Sequence, residues 1–253
     1  MKKYSILLFI CVFALNAFAQ KDDKQKKDEK EKTPVATTPV ALSKTATPLE
    51  IAKAALAAHG GDKLKNLKTL IVRGSAEVSG SPTQVLAATF AMIFSGEKYR
   101  FDIQAPPMVN FRQVSDGQTT NSSLRGLSLP PLNQVGLPVL SKIEEKGYVV
   151  AALPEKFKKK MGFRVTSPDG YYTDFVIDEK TNRIKEYEST YEMNGYPATT
   201  SVAVDQYRDV NGILVNEKFS QRLEMGQMNF YANYKAKEIS VDTEIADDVF
   251  TMK

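Results

Sequence analysis

The sequence predicts a mainly β protein of the α+β kind: an antiparallel sheet of about ten strands that curls upon itself, preceded by one N-terminal helix. Three observations carry this reading. From Gly162 onward the chain alternates apolar and polar residues between repeated turn dipeptides. Only residues 48–59 carry clear helix start and stop signals together. So little helix cannot cover a sheet of that size as a second layer, so its inner face must close around a core or a pocket.

In chain order, Lys2 and Lys3 precede the apolar run Ile6 to Leu15 and the small-x-small triplet Ala17-Phe18-Ala19, the pattern of a signal peptide, residues 1–19, cleaved after Ala19. The run is too short to span a bilayer and no later stretch is long enough, so no stable transmembrane anchor is expected. The only cysteine, Cys11, lies inside that run, behind Ile10 where a lipoprotein signal requires a small residue. The mature chain is therefore expected to lack disulfides, thiol catalysis and cysteine lipidation. Residues 20–47 read as a disordered linker, mixed-charge as far as Lys32 and then rich in Thr, Pro and Ala. The folded domain is expected over 48–253. Nine of the 34 basic and five of the 30 acidic residues precede residue 48, which leaves 25 of each and a neutral domain. Nucleic acid, which needs a concentrated basic face, is not an expected partner.

Thr47-Pro48-Leu49-Glu50 is a capping box with proline at the first helical position, and Gly60-Gly61 stops the helix. His59, the only histidine, is expected to serve that helix end rather than a metal or a catalytic base. Thr69 to Val78 and Thr83 to Phe94 read as a hairpin. Leu86, Phe90, Met92 and Phe94 share one face of its second strand, while Val85, Ala87, Ala91 and Ile93 share the other, so cover is expected on both sides and the helix is a candidate for one of them. Glu97 to Thr119 reads as two further strands separated by Pro106 and Pro107, with a tight turn at Asp116-Gly117. Leu124 to Leu140 is leucine-rich but broken by Gly126, Pro130, Pro131, Gly136 and Pro138, so it suits neither helix nor strand. It is either a lid over the sheet opening or a fixed loop that completes the core. Val139 to Lys146 reads as a short helix. The run Pro154 to Lys160 is expected to be a solvated loop. Turns at Pro168-Asp169-Gly170, Thr181-Asn182, Asn194-Gly195 and Asn211-Gly212 then punctuate a meander. In it, Phe175 and Ile177 oppose Asp174 and Asp178, and Phe230 and Tyr234 oppose Asn229 and Asn233.

No nucleophile–base pair, phosphate loop or cluster of metal-ligand spacing is found, so no catalytic residue, metal or cofactor is expected and the protein does not read as an enzyme. Glu144-Glu145 read as surface residues, and Asp116 as turn chemistry. Met92, Met108, Met161, Met193, Met225 and Met228 fall in or beside strands among many Tyr and Phe, as core filling or as an adaptable binding surface.

The order helix, hairpin, K-Y-R-F-D-I-Q-A-P, V-S-D-G-Q-T, irregular apolar segment, R-V-T-S-P-D-G-Y-Y-T-D-F-V-I-D, R-I-K-E-Y-E and the ending D-D-V-F-T-M resembles the LolA/LolB-like superfamily of periplasmic lipoprotein carriers. The opening A-A-H-G-G-D-K-L-K-N-L-K-T-L is similar to members known as outer-membrane lipoprotein-sorting proteins. The resemblance covers nearly all of 48–253. It implies an unclosed half-barrel of about 10–11 strands around a hydrophobic cavity that shelters acyl chains under a helical or loop lid. Two positions depart from it: Ser95 stands where such carriers place a lid-holding arginine, and Phe101 where they place a strand tryptophan. The expected function is periplasmic binding or carriage of lipids or lipoproteins. The alternative is an envelope sensor or interaction module that binds a protein partner. The expected cavity residues are Leu86, Phe90, Met92, Phe101, Ile103, Phe175, Tyr187, Tyr191, Phe230 and Tyr234, with Leu127, Leu129, Leu132 and Leu137 as lid.

Overall fold

The computed structural model describes residues 42–43, 45–81, 84–107, 109–124, 129–193 and 195–252. The expected signal peptide, most of the linker, Met108 and Leu127 lie outside the described residues. Two helices, α1 (Pro48–Ala58) and α2 (Asp62–Lys65), lead into strands β1 (Thr69–Ser81), β2 (Gln84–Ser95), β3 (Lys98–Ala105), β4 (Val109–Ser115) and β5 (Thr120–Ser122). After the irregular segment come β6 (Val149–Ala151), β7 (Gly162–Thr166), β8 (Tyr172–Ile177), β9 (Ile184–Met193), β10 (Tyr196–Val210), β11 (Ile213–Met225) and β12 (Met228–Val241). All twelve form one antiparallel sheet in the order β5-β4-β3-β2-β1-β12-β11-β10-β9-β8-β7-β6. The count exceeds the expected 10–11 through the edge strands β5 and β6, three residues each and too short for alternation to show in sequence.

This order is two meanders zipped together. The first runs outward from β1 to β5 and the second returns inward from β6 to β12, with β1 and β12 paired at the middle of the sheet. Gly74 permits that seam: at a bulge between Arg73 and Gly74, a Cβ on Gly74 would sit 2.1 Å from the Lys235 carbonyl oxygen. The outer strands β5 and β6 do not pair, so the sheet stays open, and the described residues 123–124 and 129–148 of the connection between them form a strap. Within the strap, Leu137–Lys142 form a 3-10 helix, starting two residues before the expected helix and ending short of it.

The core occupies the inner face. Val72, Ala76, Ala88, Phe90, Phe101, Ile103, Phe111, Phe219 and Tyr234 form one cluster on β1–β4, β11 and β12. A second gathers Ile51, Ala52, Ala55 and Leu56 of α1 with Val139, Leu140 and Ile143 of the strap against Phe163, Val165, Phe175 and Ile184. The small alanines let α1 lie close to β6 and β7, and Leu42 and Ala46 pack on the same cluster. The expected covering of β2 by the helix is therefore corrected. On its outer face Ile93 packs with Ile71 under Phe250, from a C-terminal 3-10 helix over Asp247–Phe250.

The capping box is complete: the Thr47 hydroxyl accepts from the Glu50 N–H (3.3 Å), and the Glu50 carboxylate accepts from the Thr47 N–H (2.7 Å). Asp116 accepts from the Gln118 and Thr119 N–H groups at 2.9 and 2.8 Å, and Gly117 takes a positive φ, the turn chemistry read in sequence. Asp174 differs from its expected place on a wet face. Its carboxylate is fully buried and takes two hydrogen bonds from Arg164, at 2.6 and 2.8 Å, while the guanidinium lies over the Tyr172 ring. A charge that deep in the sheet is tolerated because it is paired.

Candidate ligand-binding cavity

Between the two core clusters the inner face encloses a cavity of about 370 Å³. Its floor is sheet: Leu70 and Val72 of β1, Met92 and Phe94 of β2, Phe101 of β3, Tyr187 and Tyr191 of β9, Val202 of β10 and Phe219 of β11. Leu64 of α2 and Leu67 wall one side, and Leu129, Leu132 and Leu137 of the strap form its roof. The exposed residues Lys65, Lys68, Glu97 and Glu145 mark its mouth. Strand alternation explains the floor, since every second residue faces inward. The strap explains the roof: Pro130, Pro131 and Gly136 interrupt residues 129–136, which form neither helix nor strand.

The expected cavity residues divide four ways. Met92, Phe101, Tyr187 and Tyr191 line the wall. Leu86, Phe90, Ile103 and Tyr234 belong to the adjoining cluster rather than to the wall, with the Phe90 ring edge-on to Tyr234 at 4.9 Å. Phe175 is buried beneath α1, stacked on Phe163 at 5.1 Å. Phe230 keeps the parity of Tyr234, yet it lies toward the far end of β12 beside Gly80 and is 45% exposed. Of the expected lid, Leu129, Leu132 and Leu137 line the cavity. Sequence reasoning missed Leu64, Leu67, Leu70, Val72, Val202 and Phe219. Val72 and Phe219 had a usable signal in strand parity, whereas Leu64 and Leu67 sit just past the Gly-Gly stop, where no periodicity points inward.

Polar side chains hold the roof in place. Gln113 of β4, fully buried, accepts from the Leu129 N–H at 2.8 Å through its carbonyl oxygen. Its amide donates to the Leu129 carbonyl at 3.2 Å and to the Tyr99 hydroxyl at 2.9 Å. The Gly136 N–H donates to the Thr173 hydroxyl of β8 at 2.9 Å. Lys142 pairs with Glu97 at 2.6 Å, and the Asn133 amide donates to the Glu97 carboxylate at 2.6 Å and to its backbone carbonyl at 3.1 Å. Lys65 of α2 reaches Glu144 at 2.6 Å, a carboxylate that also pairs with Lys53. The strap is thus a roof bonded to both halves of the sheet, which joins the two alternatives left open by its sequence. Gln113 was missed because a lone glutamine among Val109, Phe111 and Ser115 gives no pattern.

His59 touches the cavity wall and is 1% exposed. Its Nε2 accepts from the Ile184 N–H at 3.1 Å, which places the ring proton on Nδ1, and Tyr207 packs edge-on at 4.8 Å. Burial pushes its pKa down to about 4 against an opposing hydrogen bond at Leu214, with Arg183 adding to the fall. A neutral imidazole whose lone pair is engaged is a structural pin rather than a base. His59 stands at the C-cap of α1, as its position in the sequence suggests, but an uncharged ring adds nothing through the helix dipole. Burial also raises the pKa of Tyr187 and Tyr234, so their hydroxyls stay neutral. What the wall offers chemically is apolar surface, neutral hydroxyls and amides, and a charged mouth.

The chain is similar in fold to solved structures of other proteins. A LolA superfamily protein from Nitrosomonas europaea superposes with a TM-score of 0.51 at 11% identity, over 82% of this chain and 98% of the other. A DUF1329 family protein from Desulfovibrio piger gives 0.47 at 10% identity, over 81% and 98% of the two chains. An outer membrane lipoprotein-sorting protein domain from Vibrio parahaemolyticus gives 0.42 at 12% identity, over 80% and 95%. No family model and no curated protein matches the chain.

Proposed function

We propose that the protein binds acyl chains of lipids or lipoproteins in this cavity and carries them through the periplasm, without catalysis. The observation that supports it most is the roofed apolar cavity, on a fold shared with a LolA superfamily protein. Transfer of a chain from water into such a site is worth about 0.8 kcal/mol per CH₂. Among the described residues no helix is long and apolar enough to cross a membrane. The test is native mass spectrometry of the purified chain, then solvent extraction of whatever is bound. Co-purified lipid or lipoprotein is expected, and Leu129→Asp combined with Leu132→Asp should abolish its uptake. Unchanged uptake by that double variant would refute the roof as part of the binding site.

A second reading, an envelope module that docks a protein partner, draws on a different feature. The tips of three neighbouring hairpins point the same way and expose Val85, Tyr196, Met228, Phe230 and Tyr231, an apolar rim. A protein that stays empty when offered lipids, yet forms a complex through that rim, would favour this reading.

A further inference from the structure

The strands that wall the cavity also carry an outer face. Tyr187, Val202, Phe219 and Tyr234 belong to the inner cluster, so by alternation Glu186, Glu188, Ser201, Ala203, Ser220 and Asn233 point outward. Two registered rows cross this face: Asp174–Glu188–Ser201–Arg222–Tyr231 and Val176–Glu186–Ala203–Ser220–Asn233. The small side chains of Ser201, Ala203 and Ser220 leave the middle low, while both sides are raised. On one side the run Pro154 to Lys160, expected to be a solvated loop, is anchored to β9. Lys156 pairs with Glu188 and Lys160 with Glu186, and their ammonium groups lie 5.0 and 5.8 Å from the centre of the Phe157 ring. On the other side Arg222 pairs with Glu224 and lies 5.7 Å from the centre of the Tyr231 ring, an aromatic that the apolar rim shares. The result is a groove of about 290 Å³ lined by both Phe157 and Tyr231. From β9 to β12 it spans three strand spacings, about 14 Å.

The chemistry of this groove differs from that of the cavity behind it. Each carboxylate in it has a basic partner, Asp174 with Arg164, Glu186 with Lys160 and Glu188 with Lys156, so it presents fixed donors and acceptors without a net charge. The Ser201 hydroxyl donates to Glu188 at 3.0 Å. Among the described residues, the Ser220 hydroxyl and the Asn233 side chain make no hydrogen bond, and neither residue is buried. A hydrocarbon chain gains nothing from such a lining, and an ion finds its countercharge already engaged. A sugar ring matches both parts of it. The C–H faces of a pyranose pack on aromatic rings, and the hydroxyls around its edge both donate and accept. We propose that this outer groove binds a neutral oligosaccharide between Phe157 and Tyr231, on the opposite face of the sheet from the cavity. The site is separate from the acyl-binding reading above and does not depend on it.

The test is an amide NMR titration of the purified chain with two neutral probes, maltotriose and triacetylchitotriose. At least one of them should shift the Ser201, Ala203, Ser220 and Asn233 amides in a saturable way. Phe157→Ala and Tyr231→Ala should each weaken that binding about tenfold, since each removes one aromatic side of the groove. Ala203→Trp fills the floor at an exposed position and should abolish the shifts. Matched thermal melts verify that the variants fold, and the two alanine variants alter only side chains that are at least partly exposed. No saturable shift with either sugar at about 20 mM, shifts confined to the inner face, or unchanged binding in folded Phe157→Ala and Tyr231→Ala would overturn the proposal.

Discussion

Acidification should unpin the helix from the sheet through His59. The ring is buried and neutral, with its pKa lowered from 6.5 to about 4, first by burial. A group whose folded pKa is depressed contributes stability that is complete above its unfolded value and is lost as pH falls toward the folded one. The window here is therefore pH 6.5 down to about 4. At about 1.4 kcal/mol per pH unit, the two-state expression gives a loss of about 2.5 kcal/mol by about pH 4.5. The comparison is urea unfolding of the wild type and of His59→Gln, which keeps an acceptor but cannot titrate, at about pH 7.5 and about pH 4.5. The wild type should lose about 2.5 kcal/mol more than the variant between the two. Equal losses within about 0.5 kcal/mol, or an NMR titration of the ring with its midpoint near 6.5, would refute the buried-pin account.

Two further outcomes follow from the geometry. Gln113→Leu removes the three hydrogen bonds it makes to the strap, two at Leu129 and one at Pro130, so it should cost about 2 kcal/mol and speed hydrogen exchange at the Leu129 amide. Gly74→Ala places a methyl 2.1 Å from one backbone atom and 2.9 Å from the Ala236 Cα, so it should destabilise by about 3 kcal/mol or more in urea titration or prevent folding.

The fold was legible where residues act through repeating pattern. The capping box, the Asp116-Gly117 turn and the alternation of β9 each express a local rule, and each element formed as its rule requires. The site was legible in part for the same reason. Met92, Phe101 and Tyr187 face inward by parity, but parity does not say how far along a strand the cavity reaches, which is why Phe230 lies beyond it and Phe175 beneath the helix. The remainder depends on pairs distant in the chain. Asp174 reads as a surface carboxylate until Arg164 is placed beside it, and Gln113 as an ordinary strand residue until the strap lies across it. His59 is the C-cap that its position suggests, but its role as a pin shows only once Ile184, 125 residues away, supplies the N–H that fixes its ring.

The pairing of the first strand with the last also governs when the molecule can fold. Synthesis delivers β1 early, but the partner for its open side arrives only with β12, at residues 228–241. Until then a thirteen-residue strand offers bare N–H and C=O groups to any extended chain nearby. Contacts this distant in sequence form slowly, so the nascent chain passes a long interval as two unjoined meanders with an exposed seam. A truncation that removes the last strand therefore removes the middle of the sheet rather than its margin, and the shortened chain is expected to aggregate through β1 instead of folding to a smaller half-barrel.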